Sequence, residues 1–201
     1  EHGNIYQWVA KKMACDKSGI KYLHGVECYL TEQLYEYPDV NDLWYEAQQG
    51  RSEEEAQKEL SDLMESGKKK VRDNYHTILI AKNYDGILEI NNLVSLSNRE
   101  DHFYYKPRIT FDEFLGISDN VIKISACLAS PLNKLSIRHP MYEKLLRHYD
   151  YLEVQAHNFG EQISYNCHLA EMSKKYGIPL IAGTDTHSID AYKAECRSIM
   201  Q

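Results

Sequence analysis

The chain is short of positive charge. Across 201 residues, 23 lysines and arginines face 30 aspartates and glutamates, a formal net charge of −7. That balance argues against a broad cationic surface for gripping phosphate backbones. A nucleic acid would have to be delivered by a neighbouring domain, or enter only as a strand end at a metal site. Long apolar runs are missing as well. No stretch approaches the roughly 18 residues needed to span a bilayer, and no signal-peptide pattern opens the chain, so no membrane partner is expected. Cysteines are few, odd in number and scattered, at Cys15, Cys28, Cys127, Cys167 and Cys196. Without a secretory signal they read as reduced thiols, and the expected location is cytoplasmic. There is no internal repeat and no low-complexity tract. The chain opens at Glu1 without a methionine and stops soon after a helix-like start; both ends read as cut from something longer.

What is present fits one domain, 1–201, large enough to bury a core. Its 43% apolar and 26% charged residues are ordinary for a soluble globular protein. Short β-branched runs alternate with helix-length amphipathic segments, the signature of an α/β fold with parallel strands. The strands are predicted at Lys21–Leu30, His76–Ala81, Val121–Ser125, Tyr151–Gln155 and Pro179–Ala182. Ile87, Ile90 and Val94 share one helical face, and Ile163, Cys167 and Ala170 another. Gly19, Gly25, Gly177 and Gly183 flank strands where the chain must turn. One segment breaks the rhythm. Tyr35–Asp73 is long, polar and acidic, and reads as an inserted helical excursion at about 35–73. Ser52 and Glu55 have capping-box spacing, Ala56, Leu60, Leu63 and Met64 form an apolar stripe, and Gly67 can close the helix. The Lys68-Lys69-Lys70 run beyond it is more often a solvated helix end than a nucleic-acid patch.

The chemistry-bearing residues lie where predicted strands start or finish: Glu1-His2-Gly3, Glu27, His76, Cys127, and Asp185 with His187. In a parallel α/β barrel the C-terminal strand ends converge on one face, the usual place for an active site. Imidazole, carboxylate and thiolate form a mixed N/O/S set suited to zinc or another first-row metal. Asp185 and His187 are two apart, which in extended backbone points both to one side. Singly, each has a plain alternative: a loop Asp-x-His, a small core cysteine, a salt-bridged rim glutamate, a hydrogen-bonded strand histidine. Their joint placement carries the argument. His102, His139, His148 and His168 sit in polar or helical contexts and read as surface histidines.

Glu1-His2-Gly3, Gly25-Val26-Glu27, His76, Cys127 and Asp185-Thr186-His187 resemble, in order, the motifs of the PHP (polymerase and histidinol phosphatase) family. Cysteine within Ser125-Ala126-Cys127-Leu128, together with Glu1-His2-Gly3-Asn4, Phe103-Tyr104-Tyr105-Lys106-Pro107-Arg108-Ile109 and Tyr151-Leu152-Glu153-Val154-Gln155-Ala156-His157-Asn158, is similar to the branch found in bacterial DNA polymerase III alpha subunits. The family's first strand, with a His-x-His pair, has no counterpart here. The resemblance implies a distorted (β/α)7 TIM-like barrel holding two or three divalent ions (zinc, manganese or iron). His2, Glu27, His76, Cys127, Asp185 and His187 would be the ligands. Arg108 is a candidate phosphate clamp, since guanidinium pairs bidentately with phosphate; a structural surface arginine is the alternative. His157 either lines the metal face or braces it, and Glu1 is a candidate for the layer behind the ligands. The implied activity is metal-dependent phosphoester hydrolysis, as 3′–5′ exonucleolytic proofreading in DNA replication. The DNA 3′ end would arrive through the rest of a DNA-directed polymerase (a nucleotidyltransferase whose own catalytic residues would lie beyond Gln201) working with other replisome subunits. The alternatives are a stand-alone phosphoesterase acting on a small phosphate ester, and a non-catalytic scaffold that binds a separate proofreading nuclease.

Overall fold

A computed structural model describes residues 2–199. In chain order the elements are α1 (Trp8–Lys17), β1 (Gly25–Thr31), β2 (Tyr35–Glu36), α2 (Val40–Ala47), α3 (Glu53–Gly67), β3 (Lys69–Lys70) and β4 (Tyr75–Ala81). There follow α4 (Tyr84–Ser97), β5 (Arg108–Thr110), α5 (Phe111–Leu115), β6 (Val121–Ile124), α6 (Pro131–Lys134) and α7 (Tyr142–His148). The chain then forms β7 (Leu152–Gln155), α8 (Gly160–Tyr176), β8 (Leu180–Gly183) and α9 (Ala191–Ile199). The α/β class expected from the alternation is what forms.

The sheet is not all parallel. Its order is β5-β1-β4-β6, with β7-β8 as a separate pair, and a single parallel bridge between Ile124 and Tyr151 joins the two. β1 runs parallel to β5, but β4 is antiparallel to both β1 and β6. Hence β4 alone runs against β1, β5, β6, β7 and β8. The reason lies in the excursion. The chain leaves the sheet after β1 and returns at the same end, so that Leu30 faces Tyr75 across the ladder. A connection that comes back where it left makes an antiparallel pair, whatever its length. Among the described residues these strands do not close into a barrel.

Leu30, Leu79, Ile109, Phe111, Phe114, Leu145, Leu146, Leu152 and Leu169 form the centre of the core, all at most 1% exposed. Ile90 and Val94 of α4 join it, on the face that the helical period predicts. The period misleads in α8, where Ile163 and Cys167 are exposed and the buried residues are Gln162, Tyr165 and Leu169. There the polar Gln162 is drawn inward because its amide donates to Asn166, whose own amide donates to the Gln155 carbonyl beside β7. Within 35–73, Ser52 and Glu55 cap α3 reciprocally, and α3 packs on α2 with Ala47 and Ala56 buried. Gly67 ends α3 for a reason unrelated to handedness: a Cβ there would lie 2.5 Å from the Pro38 ring.

Candidate metal centre

β1 supplies the first carboxylate. Glu27 sits in the middle of the strand, not at its end, on the same face as Tyr29. Because β4 is reversed, His76 near its start faces Tyr29, which brings the opening of β4 to the end where β1 and β6 finish. His76 Nδ1 lies 2.8 Å from Glu27 Oε1 and 3.5 Å from Cys127 Sγ. Cys127 arrives from the loop after β6, through Ala126 at φ +59°. His2 is held by a parallel bridge to Glu27 and by the Gly3 amide donating to the Glu27 carbonyl at 2.8 Å. Its Nδ1 is 3.9 Å from Glu27 Oε1. The ring of His187 stands edge-on to His2, centroids 5.3 Å apart, and its Nδ1 is 3.6 Å from Asp185 Oδ1. One continuous run of contacts therefore joins His2, Glu27, His76, Cys127, Asp185 and His187.

Gly3 is required at the entry. Its φ is +65°, and a Cβ would lie 2.6 Å from the Pro107 ring and 2.9 Å from Tyr29, so only glycine seats His2 here. Asp185, at φ +47°, and Ala126 both hold the left-handed conformation, which is uncommon outside glycine. Backbone strain of this kind gathers at functional sites.

The electrostatics are those of a compact cluster. Burial works against the Glu27 charge, but His76, His2 and His187 outweigh it and hold the carboxyl below its ordinary value. Burial likewise disfavours an imidazolium at His76, yet Cys127 and Glu27 raise it to about 9. The donors are turned on one another: among the described residues no three His, Cys, Asp or Glu side chains form a ready metal cage. One atom is left over. Glu27 Oε1 is buried with no aligned hydrogen-bond donor, its approach to His76 being close but badly directed. A buried carboxylate oxygen without a donor, amid imidazoles and a thiol, fits a cation chemically.

Arg108 is not brought to this cluster. It is fully buried in β5, where Nε donates to the His102 carbonyl at 3.2 Å and Nη1 to the carbonyls of Val71 and Asp73. Those bonds make it a brace between β5 and the foot of the excursion; the one nitrogen left without a partner, Nη2, is buried, so the phosphate clamp has no exposed fork to offer there. His157 lies on the loop after β7, its Nε2 3.2 Å from the Thr184 carbonyl, on the rim next to Asp185. Glu1 lies outside the described residues. His102 is not a surface histidine. It is 5% exposed, clasped between Asp101 at 2.8 Å and Glu113 at 2.9 Å, a partner pair of which only Asp101 is local in sequence.

The sequence reading passed over Glu153. It is buried on β7, bonded by the Gln155 amide at 2.8 Å, and packed against Gly183, where a Cβ would meet its carboxyl carbon at 2.3 Å. Burial, with Asp185 and Glu27 nearby, pushes its pKa up. The available signal was a glutamate between Leu152 and Val154 in a short strand, two residues before a glutamine on the same face.

A DNA polymerase III subunit alpha from Borreliella burgdorferi is 27% identical over 209 residues, covering 100% of this chain and 16% of that protein. One from Aquifex aeolicus is 28% identical over 199 residues, covering 94% and 15%. One from Chlamydia pneumoniae is 27% identical over 229 residues, covering 100% and 16%. This chain thus spans about a sixth of the length of these relatives. The PHP domain pattern matches residues 1–162, which takes in four of the six clustered side chains, and on that match the chain belongs to the PHP domain family.

Proposed function

We propose that this chain is the PHP domain of a replicative bacterial DNA polymerase III alpha subunit and hydrolyses phosphoesters with divalent metal ions, as a 3′–5′ exonuclease. The observation that carries the reading is the run of contacts linking His2, Glu27, His76, Cys127, Asp185 and His187, in which His2 and His76 approach a buried Glu27 oxygen that has no aligned donor. These six residues would hold the ions, whether zinc, manganese or iron. Bound there, such ions would supply Lewis acidity and an activated water for phosphoester hydrolysis.

The chain's own residues do the rest. Glu27 holds negative charge at the centre, and the cationic imidazole of His76 must release its proton to act as a ligand. Glu153 and Gln155 back the face from β7, and His157 stands at the rim, within reach of a substrate oxygen. The reading carries with it the distorted (β/α)7 barrel as the finer form of this α/β fold. It also carries the parent polymerase and its replisome partners as the source of the DNA 3′ end.

A second reading has one observation in its favour. Because no three of these side chains form a ready metal cage among the described residues, the cluster would then serve as a structural tie in a scaffold. Elemental analysis of the purified chain, with release of nucleotides from 3′-labelled single-stranded DNA in manganese or zinc, separates the two. Hydrolysis predicts bound metal and cleavage, both lost in Asp185→Asn. A folded protein with metal at background and no cleavage would overturn it in favour of the scaffold.

A further inference from the structure

The lysine run at the foot of the excursion does not trail into solvent. Lys69 and Lys70 form β3, paired with Tyr35 and Glu36 of β2. Lys70 Nζ donates to the carbonyls of Glu100 and Phe103, tying this ribbon to the loop before β5. Between ribbon and loop lies a groove of about 760 Å³, whose polar lining includes Gln33, Glu36, Lys69, Arg72, Asp73 and Tyr104. In a chain of net charge −7, Lys69, Lys70 and Arg72 meet around this concavity, with Glu36 and Asp73 beside them.

The loop beside it presents aromatic rings. The Tyr104 amide donates to the Lys106 carbonyl at 3.1 Å, a tight turn that leaves Tyr105 at its tip, 73% exposed and at φ +58°. A bulky residue at positive φ is strained, and here the strain holds a large ring out in water. That ring stands 4.6 Å from Tyr104, with the Arg72 guanidinium 5.7 Å from its centre. Behind Tyr104 lies Arg108, whose Nη2 is buried without a partner. Beyond Tyr105, Lys106 Nζ sits 4.8 Å over the ring of Tyr29, and Tyr29 in turn stands 5.0 Å from His76. Contacts thus run from groove to aromatic tip to cluster, the last of them through the ring of Tyr29. Tyr29 is itself only 2% exposed, so a strand following this path would pass over Lys106 and not Tyr29.

We propose that this path is a track for single-stranded nucleic acid, with phosphates on Lys69 and Arg72, a base stacked on Tyr105, and the strand end led past Lys106 to the cluster. Proteins that hold single strands without sequence preference combine a cationic groove with aromatic stacking platforms. Glu36 and Asp73 line the same groove, so charge alone does not select the ligand; the exposed tyrosine does. The direction of the track rests on the phosphoesterase reading, whereas binding in the groove does not.

The test is fluorescence anisotropy of a labelled twelve-residue oligothymidylate with the whole chain in EDTA, so that binding is read apart from cleavage. Lys69→Glu with Arg72→Glu should weaken binding more than tenfold at low salt and flatten the salt dependence by roughly 0.7 per lost phosphate contact. Tyr105→Asn keeps a residue that tolerates positive φ and should cost about tenfold, with little change in the salt slope. Lys174→Glu on α8 is the control and should change neither, with thermal melts confirming that each variant folds. Equal affinity in wild type and groove variants overturns the track, as does equal loss in the Lys174 control, or an acidic peptide that competes as well as the oligonucleotide. Oligonucleotide bound in the groove without any cleavage in metal would leave the track standing and sink the hydrolase reading instead.

Discussion

Replacing Arg108 by methionine separates a phosphate clamp from an internal brace. In the structure the guanidinium is fully buried and serves three backbone carbonyls, those of His102, Val71 and Asp73. Methionine fills similar volume but donates nothing, so these acceptors lose their donor. An unsatisfied buried group costs about 1–3 kcal/mol, but the unpartnered Nη2 is removed along with the rest, which returns part of the burial cost of the charge. A net loss of about 3–5 kcal/mol is expected. For a chain of this length each kcal/mol moves Tm by about 2–4 °C, so calorimetry should show a fall of roughly 6–20 °C. Arg108→Lys, able to keep one of the bonds, should fall between. The reasoning is refuted if Arg108→Met melts within 2 °C of wild type while phosphate binding or DNA cleavage collapses; that pattern would restore the clamp.

The excursion should be separable above its foot. Joining Glu36 to Lys69 through Asn-Gly removes α2, α3 and the Pro38–Gly67 contact together, shortening a loop whose closure costs about 0.6 kcal/mol per doubling, and the cooperative melt should survive. Excising 35–73 entirely also removes two of the three carbonyls that hold Arg108, those of Val71 and Asp73, and should abolish that melt; circular dichroism reads both. Gly3→Ala combines positive φ with a clash on Pro107 and Tyr29. It should lower stability by about 1–2 kcal/mol in urea titration and weaken metal uptake through His2; unchanged values would show that the 2–4 segment is not anchored as described. For His102, burial alone would lower the pKa, but Asp101 and Glu113 raise it. Since the folded pKa exceeds the unfolded value of about 6.5, its contribution is complete below that pH and fades as pH rises through the folded pKa. The Tm gap between wild type and His102→Gln should therefore narrow from pH 6 towards alkaline pH, and a gap that widens would contradict the assignment.

Local pattern was enough to place much of this protein. The β4 and β6 strands, the α4 face of Ile90 and Val94, and the Ser52–Glu55 cap each depend on residues a few positions apart, and period and capping chemistry express themselves within that range. The contacts that join His2, Glu27, His76, Cys127, Asp185 and His187 were legible only in part: residue type marked each of them, but Glu27 lies inside β1 and His76 near the start of β4 rather than at strand finishes. What the sequence could not decide is anything set by partners distant in sequence. The reversal of β4 follows from where a long excursion returns, and no periodicity records that. The inward turn of Gln162 depends on Asn166 and on Gln155 of another element, and the burial of His102 on Glu113. Arg108 shows the distinction most clearly. Its motif suits a phosphate as well as a brace, and only the fold, by setting the Val71 and Asp73 carbonyls against its guanidinium, determines which bonds it makes.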